Sequence, residues 1–371
     1  MPFGSEGVQA GIGLALSGGG FRATLFHIGA VWRLIELGVL TSLTRVSSVS
    51  GGSIFAGVLA SSWKNLSSSP TVANYRQLVV DPLRRFCQQQ IDTIAIGEGL
   101  LSPWTSIGEA IESKYQAELF QIGLNQLPDA PWFVFNATNL QTGRSFRFSK
   151  AYMGDYLVGL IRNPTTPLAK AVAASSAFPP FLSPVLLDPP SAFEAVPGAL
   201  FNGNPNYTTR LYLSDGGVYD NLGLETVWNR YQTVLVSDAG APFGFSDRVE
   251  TDWVKQSLRA LEVATDQSRA LRKRALIDDF QRNVREGMYW GIETAIANYR
   301  LATALPCSDA IVKPLALIRT RLNPFSDVEQ DQLINWGYAL CDAAVRTHVP
   351  GIVTSQTPLP PQWPCPAHPL S

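Results

Sequence analysis

The sequence predicts an α/β protein of three layers, α/β/α, with helices on both faces of a central, mostly parallel sheet. Two glycine-rich turns before residue 60 carry that prediction, because each joins an apolar strand to a helix. A third observation supports it: two later strands each run into a turn that holds an aspartate. Strand–turn–helix repeats of this kind lay successive strands parallel, and the crossover helices then cover the sheet.

The elements justify this reading in order. Ile12, Leu14 and Leu16 alternate with the small Gly13 and Ala15, which suits a short strand buried on both faces. Ser17-Gly18-Gly19-Gly20 ends it, and from Ala23 to Leu37 the residues Leu25, Phe26, Ile28, Val31, Leu34 and Ile35 recur at helical spacing, with Gly38 as the stop. A second strand over Leu43–Val49 meets Ser50-Gly51-Gly52, and a helix is predicted over Ser53–Trp63. Trp132–Asn136 and Arg144–Phe148 flank Gln141-Thr142-Gly143 as a hairpin, and Leu211–Ser214 and Thr233–Ser237 are further strands. The proline- and glycine-rich stretch Phe178–Tyr207 is too long for an ordinary connection and is expected to be a functional cover or a surface loop. The last third is mostly helical: Trp253–Ile277 is amphipathic with a basic run at Arg269, Arg272, Lys273 and Arg274, and Ser326 with Glu329 forms a capping box for a helix through Ala344. One domain over residues 1–350 and a proline-rich tail over 351–371 are expected, since no linker interrupts the pattern.

Composition excludes several function classes. Only 16% of the 371 residues are charged, and 29 basic side chains against 30 acidic ones leave a net charge of −1. A nucleic-acid binder draws its affinity from concentrated positive charge, so nucleic acid is not an expected partner. Cys87, Cys307, Cys341 and Cys365 are scattered without metal-ligand spacing, so reduced thiols and no metal or other cofactor are expected. The apolar stretch Val8–Leu16 has no lysine or arginine before it, the first being Arg22, and leads into glycines rather than a cleavage site. No signal peptide and no transmembrane segment are therefore expected, and the protein is expected to be cytoplasmic or peripheral to a membrane.

Three loops could hold chemistry. Ser50 follows a hydrophobic strand and precedes two glycines and a helix, the setting of a nucleophile elbow in which a strained turn lifts the serine oxygen above the sheet. Ser48 and Ser53 stand close enough in sequence to compete for that role. The loop Ser17–Ala23 exposes backbone amides between strand and helix, suited to a phosphate or an oxyanion. Its segment Gly18–Ala23 also fits a dinucleotide fingerprint, so nucleotide binding stays open, although the acidic residue at about the right spacing, Glu36, falls inside the helix. The third loop is Asp215-Gly216-Gly217, with Asp238 at the end of a neighbouring strand competing for the same role.

Together these pieces resemble the patatin-like phospholipases, in the form of a bacterial-type lipid acyl hydrolase. The resemblance rests on Gly-Gly-Gly-Phe-Arg at 18–22, the serine elbow about thirty residues later, and the distant block Asp215–Leu224. Ala174–Pro180, Arg272–Arg274 and Asn335–Tyr338 are similar to further blocks, so the resemblance covers roughly residues 10–345. It implies a patatin-like fold and a lipid acyl hydrolase of phospholipase A or lysophospholipase type, acting on a lipid or other acyl ester. By position it implies Ser50 as nucleophile, Asp215 as its base, the amides of Gly19, Gly20 and Gly51 as oxyanion hole, and Arg22 steadying the glycine loop. Ser48 stands where the family has the first elbow glycine and crowds the turn. A Ser-His-Asp triad would need one of His27, His348 and His368, and His348 is the alternative, since it follows Asp215 in the chain. Peripheral membrane contact is a further expectation, through Trp104, Phe178, Phe181, Leu182, Phe193 and Phe201 in the predicted cover segments.

Overall fold

A computed structural model describes residues 7–91, 107–180, 182–356 and 358–371. The first strand, β1 (Gln9–Leu16), shows why the sheet is buried on both faces. Leu14 and Leu16 point into the larger apolar core, whereas Ala15 points into a second cluster with Leu222, Val227, Val234, Val236 and Leu276. Alternation along one strand therefore serves two helical layers.

Helix α1 (Gly20–Glu36) follows the glycine loop and is buried from Gly20 to Ile35. It lies between the sheet and the long helix that closes the chain, and the two helices touch through glycines. A Cβ at Gly29 would overlap the Ile334 carbonyl, and one at Gly337 would overlap that of Phe26. Strand β2 (Leu43–Ser48) and helix α2 (Gly51–Ser61) repeat the unit. After α3 (Ile107–Glu118), a run of strands follows: β3 (Trp132–Asn139), β4 (Arg144–Phe148), β5 (Tyr152–Asp155) and β6 (Gly159–Arg162). Helix α4 (Leu168–Ser175), β7 (Val185–Leu187), β8 (Leu211–Asp215) and β9 (Tyr231–Asp238) complete the middle. Then come α5 (Trp253–Gln281), β10 (Glu286–Gly291) and α6 (Asp327–His348), the last opened by the capping box of Ser326 and Glu329.

The ten strands form one sheet in the order β10-β9-β1-β2-β3-β4-β5-β6, with β8 joined to β3 and β7. Its central part, β10 to β3, is parallel and flanked by helices, as the βαβα opening predicts. The hairpin β3–β4 is antiparallel and continues through β5 and β6. The stretch Phe178–Tyr207 is not only a loop, because it contains β7, which pairs with β8. At the C-terminal end, Asn335 Nδ2 donates to the carbonyls of Cys365 and His368 at 2.9 Å each, and Cys365 and Leu370 are buried.

One feature of the register positions the site. β2 runs parallel to β3 and ends with Ser48 opposite Phe135. On the same stretch of β3, β8 arrives from the other direction, with Asp215 opposite Ala137. Two residues along a strand span about 7 Å, so the turn after β2 and the turn after β8 meet head to head.

Candidate active site

Ser50 sits where β2 turns into α2, with φ 53° and ψ −123°. A non-glycine residue at positive φ costs about 1–3 kcal/mol and persists only when its surroundings hold it. Its N–H is held by Ser175, to the hydroxyl at 3.1 Å and to the carbonyl at 3.2 Å. Gly51 must be glycine, because a Cβ there would overlap the Gly20 carbonyl of the neighbouring turn. The elbow and the glycine loop are thus in contact, and Ser50 keeps 8% of its surface exposed.

The neighbouring serines have other tasks. Ser48 and Ser53 are fully buried, and the Ser53 hydroxyl lies 2.9 Å from both the Ser48 and the Ser175 hydroxyls. The hydroxymethyl group of Ser48, which stands where a smaller residue would relieve the turn, is accommodated by joining this chain. Neither side chain is open to a substrate.

Asp215 ends β8 and is also buried. Its Oδ1 accepts the Gly217 N–H at 2.6 Å, whereas Oδ2 is buried without a hydrogen-bond partner. Burial pushes the carboxyl up to about 7, and the nearby Ser50 hydroxyl and the Gly217 N–H pull it only partly back. The Ser50 hydroxyl is close enough to act on the carboxyl without closing a hydrogen bond onto Oδ2. No cation pairs with this carboxyl among the described residues. Its backbone is pinned by Ala177, whose carbonyl accepts the Asp215 N–H at 2.9 Å, and by Thr138, whose hydroxyl donates to the Asp215 carbonyl at 2.8 Å.

The glycine loop lies beside both. Gly19 and Gly20 take φ of 142° and 56°, which only glycine adopts without strain. Among the described residues the N–H groups of Gly19, Gly20 and Gly51 donate to no carbonyl, whereas Ser17, Gly18 and Phe21 all do. Both helices begin at these turns, so unpaired amides and the positive helix ends converge beside Ser50. Arg22 is 1% exposed and donates to the carbonyls of Ala239, Ala316 and Ile318, each at 2.7 Å. Burial, with Arg269 nearby, lowers its pKa to about 10, so it stays charged at neutral pH. Its work is to bracket the glycine loop against two other segments.

The remaining candidates are not brought to Ser50. Asp238 is tied to Arg269 at 2.7 Å and to the Tyr289 hydroxyl at 2.6 Å. His27 has both ring nitrogens engaged, Nδ1 with the Ser237 hydroxyl at 2.9 Å and Nε2 with the Ser17 carbonyl at 3.0 Å, and burial lowers its pKa to about 4. His368 is paired with Asp331 at 2.7 Å. The His348 alternative is corrected by the packing of α1 on α6. Phe21 meets Phe325 at the glycine-loop end, and Arg33 meets Asp342 at the other, about 20 Å along the helix. His348 lies a further turn and a half beyond Asp342, exposed, against Tyr299. For the nucleotide reading, Glu36 is taken at the far end of α1 by Trp32, Arg33 and Tyr338. Among the described residues no group of three His, Cys, Asp or Glu side chains could hold a metal ion, and no helix is long and apolar enough to cross a membrane.

Of the apolar cover residues, Phe178 is 48% exposed, Phe193 is buried and Phe201 stacks on Tyr207 at 4.1 Å. Leu182 is partly buried against the core, and Trp104 and Phe181 lie outside the described residues. Sequence reasoning missed the roles of Ser175, Asn136 and Arg269. Ser175 stood inside the Ala174–Pro180 block and Arg269 in the basic run, but neither block says which atom it will meet.

With this geometry in hand, comparison gives the class. The model of the patatin-like phospholipase family matches residues 14–228, more than half of the chain. The protein belongs to the patatin-like phospholipase family. No curated protein matches it in sequence. Solved structures similar to it include human GIVD cytosolic phospholipase A2 in complex with methyl gamma-linolenyl fluorophosphonate inhibitor and terbium chloride, at 15% identity and a TM-score of 0.48. That match covers 90% of this chain, which spans 57% of the human chain. VipD from Legionella pneumophila matches at 15% identity and a TM-score of 0.36, covering 93% of this chain and 68% of its own.

Proposed function

We propose that the protein hydrolyses carboxylic esters of lipids, of phospholipase A or lysophospholipase type, with Ser50 as nucleophile and Asp215 as its base. The observation that carries this reading is the Asp215 carboxyl, buried without a cation, raised to about 7 and adjoining a serine on a positive-φ elbow. An ordinary aspartate is a poor base at neutral pH, and a pKa near the working pH matches proton acceptance to ionisation. Ser50 Oγ attacks the ester carbonyl as its proton passes to Asp215. The oxyanion is received by the amides of Gly19, Gly20 and Gly51, with Arg22 fixing the loop that presents two of them. Loss of one such donor typically costs about 10²–10³ in rate. The alcohol departs with the proton from Asp215, leaving an acyl-enzyme. Water, activated by the same carboxylate, then releases the acid and restores Ser50. The scheme balances without a cofactor.

Peripheral contact with a lipid aggregate belongs to the same reading and is supported by Phe178, exposed beside the 175–177 turn. The test is a panel of phospholipid, lysophospholipid and neutral esters with Ser50→Ala as control, together with labelling by a fluorophosphonate. Turnover lost in Ser50→Ala and label on Ser50 are expected. Label on another serine, or an active Ser50→Ala protein, would overturn the assignment.

A further inference from the structure

We propose that Ser175 is a positioning residue that fixes the distance between the Ser50 elbow and the Asp215 turn. The inference rests on the reading of Ser50 and Asp215 given above. Ser175 is the last residue of α4 and is fully buried. Its carbonyl accepts two N–H groups, from Ser50 and from Gly216, each at 3.2 Å. One oxygen therefore joins the residue that carries the nucleophile to the residue that follows the base. Its hydroxyl adds a second contact to the same Ser50 N–H at 3.1 Å and donates to the Asn136 carbonyl at 2.6 Å. Asn136 is itself anchored, donating through Nδ2 to the Ser47 hydroxyl and the Ser48 carbonyl at 3.0 Å each.

The hydroxyl has a single hydrogen, and Asn136 takes it, so toward Ser50 it can only accept. That polarity is what the Ser50 N–H needs. Ser50 is held at positive φ, and its N–H direction fixes where its side chain leaves the backbone. Truncating the hydroxyl would leave the N–H one acceptor instead of two, and Ser50 would move relative to Asp215. Ser53 provides the comparison. It joins the same buried hydroxyl chain, but its side chain touches Ser48 and Ser175, not Ser50 or the Asp215 turn.

The test compares Ser175→Ala, Ser175→Cys and Ser53→Ala with the unmodified protein, using a p-nitrophenyl acyl ester across pH 5–9. In Ser175→Ala, kcat is expected to fall about tenfold with KM within twofold. The acid limb of kcat/KM should shift to higher pH, because Asp215 loses the part of its stabilisation that comes from Ser50. Ser175→Cys keeps a donor and acceptor at this position, larger than the hydroxyl and weaker in both roles, and should fall between. Ser53→Ala should keep the unshifted profile whatever it does to Tm. An unshifted limb in Ser175→Ala, an equal effect in Ser53→Ala, or failure of both Ser175 variants to fold while Ser53→Ala folds would each overturn the proposal. Ser50→Ala in the same assay separates this from failure of the underlying reading: turnover surviving there would remove the nucleophile rather than its positioning.

Discussion

Asp215 and Asp238 end two strands of one sheet, and both are buried and followed by a turn, yet they have opposite electrostatics. Their strands, β8 and β9, do not pair with each other as their sequence suggests but stand apart across β1, β2 and β3. Burial pushes both carboxyls up. At Asp238 the guanidinium of Arg269, the Tyr289 hydroxyl and the Gly240 N–H outweigh it, and the pKa ends below its ordinary value. At Asp215 the Ser50 hydroxyl and one backbone N–H do not, and the pKa ends near 7. The difference is one cation. A carboxylate saturated by Arg269 is fixed in one charge state and serves as a structural tie; a carboxylate with a free oxygen can exchange a proton.

Exchanging each for its amide breaks the comparison most directly. Asp215→Asn removes the proposed base while keeping the oxygen that accepts the Gly217 N–H, so the fold should persist and ester hydrolysis should fall by about 10³-fold or more. Comparable activity in that variant would mean Asp215 is not the base. Asp238→Asn leaves the mostly buried Arg269 side chain without its counter-charge, and breaking a buried pair typically costs about 3–5 kcal/mol. Chemical denaturation should show that loss. Since Gly19 lies against the carbonyl of Ala239, the glycine loop should also loosen and kcat should decline, by less than for Asp215→Asn.

The pH dependence should carry opposite signs at the two sites. Asp215 has a folded pKa raised from 3.8 to about 7, so its contribution to stability is complete below pH 3.8 and is lost as pH rises to about 7. Asp238 has a depressed folded pKa, so its contribution is present above 3.8 and is lost as pH falls through the folded value. Asp215→Asn should therefore be more stable than the unmodified protein at pH 8, by about 2–4 kcal/mol, with the gap closing toward pH 4. The unmodified protein's kcat/KM should rise with pH and reach half its plateau near pH 7. A stability gap independent of pH would contradict the assigned titration.

The sequence makes the turns legible and leaves the partners hidden, for a physical reason. Gly19, Gly20 and Gly51 can be read because positive φ and close approach demand glycine locally. Choosing Asp215 over Asp238 cannot be done locally, because Arg269 reaches Asp238 across 31 residues of chain and Tyr289 across 51. Ser50, Ser48 and Ser53 divide their roles through Ser175, more than a hundred residues away. The strands left unread are β5, β6, β7 and β10. Three are of three or four residues, and β10, Glu286–Gly291, lacks the apolar run of a buried parallel strand. Register, which brings the two turns head to head on β3, is a property of the assembled sheet.

The smallest expected effect belongs to a histidine, and it bears on what kind of site this is. Were a Ser-His-Asp triad at work, Asp215 would orient an imidazole and remain ionised, and a pKa near 7 would hinder it. His348 is exposed at the Arg33 end of α1, against Tyr299, with the length of the helix between it and the glycine loop. His348→Gln should therefore leave kcat/KM within twofold at every pH and Tm within about a degree, since exposed substitutions rarely exceed 0.5 kcal/mol. Loss of turnover in that variant, alongside an active Asp215→Asn protein, would reverse the assignment of the base. The expected pair of results, an inert His348 and an indispensable Asp215, would leave the serine with a carboxylate alone. That requires the carboxyl to be poorly solvated and unpaired, which is the difference between Asp215 and Asp238.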